Sequence, residues 1–178
     1  MRRDFERKEK ANATKKKVEY SKYLNENRIK VLQAREDAAQ NLLKDAQRTL
    51  QSLSMNTAEY ANLLVELIVQ AMFKLGESSM LVRCREIDAS LVETLLPKAE
   101  QMYSATYGRD APVLTLDTSN PLPPPPKDVG EQAEYSYCSG GVVITSADRS
   151  IECSNTLDDR LKIAYMSNLP AIRKVLFS

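Results

Sequence analysis

The first fifty-four residues, Met1 to Ser54, contain neither glycine nor proline. With both helix-breaking residue types missing and charges on nearly every turn, the stretch predicts one long helix. Tyr20, Val31, Leu42 and Leu53 recur in it every eleven residues, while Leu32, Ala39, Ala46 and Leu53 recur every seven. Taken together the two repeats describe one apolar stripe, too narrow to wrap a core of its own and suited to lying against another helix. An eleven-residue period implies a right-handed supercoil and a seven-residue period a left-handed one; four positions in each series leave both hands open. A solitary helix of this kind, roughly 75 Å long at about 1.5 Å per residue, would leave its stripe in water. A partner is therefore implied, with Tyr20, Val31, Leu42 and Leu53 as the expected seam.

The charge distribution marks where the helix gives way to something else. The net charge of +1 conceals +6 over residues 1–50 and −5 over residues 51–178. A basic helix suits nucleic acid or an anionic surface, but Asp4, Glu6 and Glu9 are interleaved with Arg2, Arg3, Arg7, Lys8 and Lys10. The stretch also lacks the aromatic interleaving that stacks on bases, so a solvated coiled-coil flank is the better reading and a basic-helix nucleic-acid binder the alternative. No histidine occurs, which removes the usual general base, metal ligand and partner of a nucleophilic Ser or Cys. Cys84, Cys138 and Cys153 form no C-x-x-C pair, and their odd number argues for a reducing compartment rather than a disulfide framework. No apolar run approaches the roughly 18 residues that a membrane span needs. No metal site, cofactor site or catalytic residue set is expected, nor membrane insertion.

Residues 56–178 read as an α+β domain following a helical segment 1–55. Asn56 with Glu59 resembles a capping box opening a helix on Ala61, Leu64, Val65, Ile68, Met72 and Leu75, closed by Gly76. Met80 to Arg85 alternates as a half-buried strand, with Met80, Val82 and Cys84 inward and Leu81, Arg83 and Arg85 outward. Ser90 with Glu93 opens a helix to Tyr107, which Pro97 should kink or split. Val113 to Asp117 is a further strand. The prolines at 121 and 123–126 make a stiff surface loop, with a P-x-x-P ligand as the sharper alternative. Gly140 and Gly141 open a strand rather than a helix, so they do not form a phosphate-cradling loop. Residues 147–150 turn into the strand Ile151 to Ser154, and Asn155 caps a last helix with Asp158 and Asp159 in its first turn and Pro170 interrupting it. Four short strands, mainly antiparallel with hairpin connections, packed by helices are the expected body.

The segments Gly140-Gly141-Val142-Val143, Asn155-Thr156-Leu157-Asp158, Arg160-Leu161 and Leu169-Pro170-Ala171-Ile172-Arg173-Lys174 closely resemble the E subunits of the eukaryotic vacuolar-type proton ATPases (V-ATPases). Arg28-Ile29-Lys30-Val31-Leu32-Gln33-Ala34-Arg35-Glu36-Asp37 and Val82-Arg83-Cys84-Arg85 are similar to the same family. The resemblance implies a non-catalytic peripheral-stalk, or stator, component of a rotary proton pump, on the cytosolic face of an acidic organelle. It also implies pairing with the pump's G subunit along the long helix and a grip on the B subunit of the catalytic head through the C-terminal domain. Members usually begin several turns earlier, so the resemblance implies a longer N-terminus reaching the C, H and a subunits near the membrane.

Overall fold

The computed structural model of the chain describes residues 2–125 and 137–177. In order along the chain it comprises α1 (Arg2–Met55), α2 (Thr57–Leu75), β1 (Ser79–Arg83), a short 3-10 turn (Glu86–Asp88) and α3 (Ala89–Tyr107). Then follow β2 (Val113–Leu116), β3 (Gly141–Ser146), β4 (Glu152–Thr156) and α4 (Leu157–Phe177). Of the proline-rich stretch, Pro126 lies outside the described residues.

Two compact units result, one of Met1–Leu42 with Ile172–Ser178 and one of Leu43–Ala171. The larger unit is built on an open four-stranded sheet in the order β2-β1-β3-β4. β1 and β2 run parallel, whereas β3 is antiparallel to both β1 and β4, giving an α+β fold with a mixed sheet. Among the described strands, only β3 and β4 are joined by the expected hairpin. The parallel pair needs a crossover, and α3 supplies it, because two parallel neighbours cannot be linked by a tight turn.

Apolar spacing explains how the layers meet. On α2, Tyr60, Leu64, Ile68 and Met72 stand one turn apart along one buried line. They share a core with Val92, Leu95, Leu96, Ala99 and Tyr103 of α3, and with Met80, Val82, Val142 and Ile144 of the sheet. Leu50, near the C-terminal end of α1, packs on this cluster, so the last turns of α1 belong to the unit that contains the sheet. Gly76 and Gly108 end α2 and α3 in left-handed conformation, as the sequence predicts.

Several local expectations are corrected. Asn56 does stand between α1 and α2, but its side chain makes no capping hydrogen bond. The helix after the first strand begins at Ala89 with Asp88 as its cap, so Ser90 lies inside it. α3 runs through Pro97 and α4 through Pro170 without dividing. Both prolines lie on exposed positions, where water can serve the carbonyl that each leaves without a donor. Asn155 is no cap: it sits in β4, buried, and donates to Leu67 O at 2.8 Å. The cap of α4 is Thr156, whose hydroxyl accepts the Asp159 amide at 3.2 Å. Arg85, expected on the outer side of the first strand, is only 2% exposed.

A candidate partner-binding interface

α1 displays its apolar residues in two directions. At about 100° per residue, Tyr20, Leu24, Val31 and Leu42 fall within about 40° of one line along the helix. All four are exposed, as are Ala34 and Ala38 on the same line. The seven-residue series departs from that line. Leu32 and Ala39 lie about 100–120° round the helix from it, and Ala39 is fully buried. Within its unit, Arg173 pairs with Glu36 at 2.9 Å and the Arg35 guanidinium stands 5.3 Å from the Phe177 ring centre. Ala46 and Leu53, continuing the seven-residue series, are half-buried in the other unit.

The two repeats are therefore not one stripe. The seven-residue series increasingly faces the chain itself, and the eleven-residue series stays open from Tyr20 to Leu42. Of the four expected seam residues, Tyr20, Val31 and Leu42 are exposed on the open face, and Leu53, about 20° round the helix from Leu42, is half-buried. Leu24, which sequence reasoning passed over, joins that face; its signal was the spacing of three and four residues that links it to Val31.

The other concentration of chemical groups is buried and polar. Arg85 Nε donates to Asp88 Oδ2 at 2.6 Å, and its Nη1 to the Ser139 carbonyl at 2.9 Å. Tyr60 Oη donates to the same Asp88 oxygen at 3.0 Å and accepts the Gly141 amide at 3.0 Å. Burial works against the Arg85 charge, but the Asp88 hydrogen bond and the surrounding charges outweigh it and hold its pKa above the ordinary value. Burial likewise pushes the Tyr60 phenol well above its usual range. Groups so fixed do not exchange protons near neutral pH; they tie α2 and the start of α3 to the entry of β3.

The glycines at that entry are required by space. A Cβ on Gly141 (φ 97°) would stand 2.7 Å from Asn155 O and Thr156 Cα, and one on Gly140 would stand 2.6 Å from the Tyr60 hydroxyl. Beside this network a shallow depression of about 340 Å³ is lined by Cys84, Glu86, Leu116 and Asp117 among others. Burial pushes the Cys84 thiol up to about 11, so it is no nucleophile at neutral pH. Among the described residues there is no group of three or more His, Cys, Asp or Glu placed to hold a metal ion. No helix among them is long and apolar enough to cross a membrane.

A long helix with an open apolar line, continued by an α+β body built on a mixed sheet, is the class of architecture this chain presents. Residues 1–177 match the family described as ATP synthase (E/31 kDa) subunit, and the chain belongs to that family. It is 45% identical to V-type proton ATPase subunit E1 of Arabidopsis thaliana over 177 residues, 99% of this chain and 76% of the relative. The V-type proton ATPase E subunit of Citrus limon is 42% identical over 178 residues, covering 100% and 76%, and that of Manduca sexta 40% over 173, covering 97% and 71%.

Proposed function

We propose that the chain is a non-catalytic peripheral-stalk component of a V-type proton ATPase, pairing through α1 with the pump's G subunit. The observation that carries this reading is the open line Tyr20–Leu24–Val31–Leu42, four large apolar side chains that are all exposed in the chain alone. In such a pump a rotor turns inside a catalytic head, and without an external strut the head would turn with it. Residues 1–55 supply the strut when paired, because two packed helices resist bending where one does not. Residues 56–178 supply the grip, on the B subunit of the head. Segments nearer the membrane meet the C, H and a subunits, which places the chain on the cytosolic face of an acidic organelle's membrane. No cofactor enters this reading.

The seam of this reading is Tyr20, Val31, Leu42 and Leu53, with Leu24 added. The test is affinity of the full chain for a co-expressed V-type G subunit. Val31→Asp combined with Leu42→Asp removes two apolar burials of about 1.5–3 kcal/mol each. At about 1.4 kcal/mol per decade the pair should weaken by about a hundredfold or more. Undiminished affinity in the double variant would remove the seam from this face.

A further inference from the structure

The open face of α1 is not wholly apolar. Leu24 and Val31 are separated along it by Asn27, which lies within about 20° of the line through Tyr20 and Ala38. The succession Leu24, Asn27, Val31, Ala34 and Ala38 steps by three and four residues in strict alternation, the spacing of positions that enter a facing helix. α1 also carries Asn12 and Asn25, which point at least about 80° away from that line, and Asn41, which stands two heptads on from Asn27 and continues the same alternation. Asn27 is half-buried, and among the described residues its side chain makes no hydrogen bond. Its amide thus faces the same way as the open line and has no hydrogen-bond partner among the described residues.

An amide carried into an apolar seam loses water on both its carbonyl and its NH2 group, which costs free energy unless the facing helix supplies a donor or acceptor at that level. A slip of the pair by a heptad would carry the amide away from that group. The flanking residues offer little resistance to slipping: Ala34 and Ala38 are small and alike, so apolar packing alone would accept several alignments.

Resting on the paired-helix reading above, we infer that Asn27 fixes the register of the pair, and that the partner helix presents a hydrogen-bonding side chain, of amide type, opposite it. Asn27 is thereby a specificity residue that lowers the affinity of the pair while selecting one alignment.

The test uses the full chain co-expressed with a V-type G subunit, with Val31→Cys as a reporter and single cysteines scanned along the partner helix. Disulfide cross-linking of the parent pair should give one dominant partner position. Asn27→Leu should raise the melting temperature of the pair and spread the cross-links to positions about one heptad away on either side. Asn27→Gln, which keeps the amide, should retain the single position. An Asn27→Leu pair that keeps the single position, or that melts lower than the parent, overturns the inference and leaves the stalk reading standing. Failure of the parent chain to pair at all overturns both.

Discussion

Tyr60→Phe isolates what the buried polar network contributes, because it deletes one oxygen and leaves the packing of the ring intact. That oxygen accepts the Gly141 amide at 3.0 Å, donates to Asp88 at 3.0 Å and stands 3.3 Å from Arg85 Nη2. Without it Asp88 keeps its 2.6 Å bond from Arg85, and Arg85 keeps Asp88 and the Ser139 carbonyl. No charge is left unpaired. The Gly141 amide, by contrast, loses its acceptor, and a buried donor left without one costs about 1–3 kcal/mol. With the smaller loss at Asp88 added, about 2–3 kcal/mol is expected, which lowers the melting temperature by roughly 4–12 °C for a chain of this size. Asp88→Ala should cost more, about 3–5 kcal/mol, since it strands the Arg85 cation in the interior. Urea unfolding followed by circular dichroism, with unchanged m-values, measures both. A Tyr60→Phe variant within about 0.5 kcal/mol of the parent, or one less stable than Asp88→Ala, would refute the assignment of the amide to the phenol.

Three other perturbations address separate links. Gly141→Ala places a methyl group 2.7 Å from the backbone of Asn155 and Thr156 at a φ of 97°, so it should destabilise by well over the roughly 1 kcal/mol of a benign glycine replacement, read by the same unfolding assay. Pro97→Ala restores an amide inside α3 and removes a clash with the preceding turn; the variant should melt higher, and a lower melting point would show that the proline is needed where it is. Alkali should weaken the fold: burial pushes the Cys84 and Cys138 thiols to about 11, whereas unfolded thiols ionise near 8.5. The unfolded chain therefore sheds protons first, so stability is intact below about pH 8.5 and falls toward pH 11, by up to about 1.4 kcal/mol per thiol per pH unit. Unfolding curves at pH 8, 9, 10 and 10.5 should show the decline, and Cys84→Ala with Cys138→Ala should flatten it.

The helices were legible in the sequence because their signals are local. The absence of glycine and proline over α1, the four-residue spacing of Leu64, Ile68 and Met72 on α2, and the glycines at 76 and 108 each act within a turn or two. Pairing of strands is not local, so the parallel β1–β2 arrangement across α3 left no mark that a hairpin reading would notice. Arg85 shows the limit most clearly. Alternation from Met80 assigns it to the outer face, but the strand has ended at Arg83, and the chain turns there so that Asp88, three residues on, meets it in the interior. The open face of α1 was half legible for a related reason. Periodicity found two repeats and merged them, since the burial of Ala39 is set by tertiary packing that no local pattern announces.

The ion pair between Arg173 and Glu36 joins residues 137 positions apart. At about 5–20 residues per second, a ribosome makes the second of these some 7–27 s after the first. Throughout that interval the nascent helix carries Ala39 and the open line from Tyr20 to Leu42 without the C-terminal segment of its unit, Ile172–Ser178. A newly made copy is thus most adhesive before synthesis is finished, while α1 still stands without the residues yet to be translated.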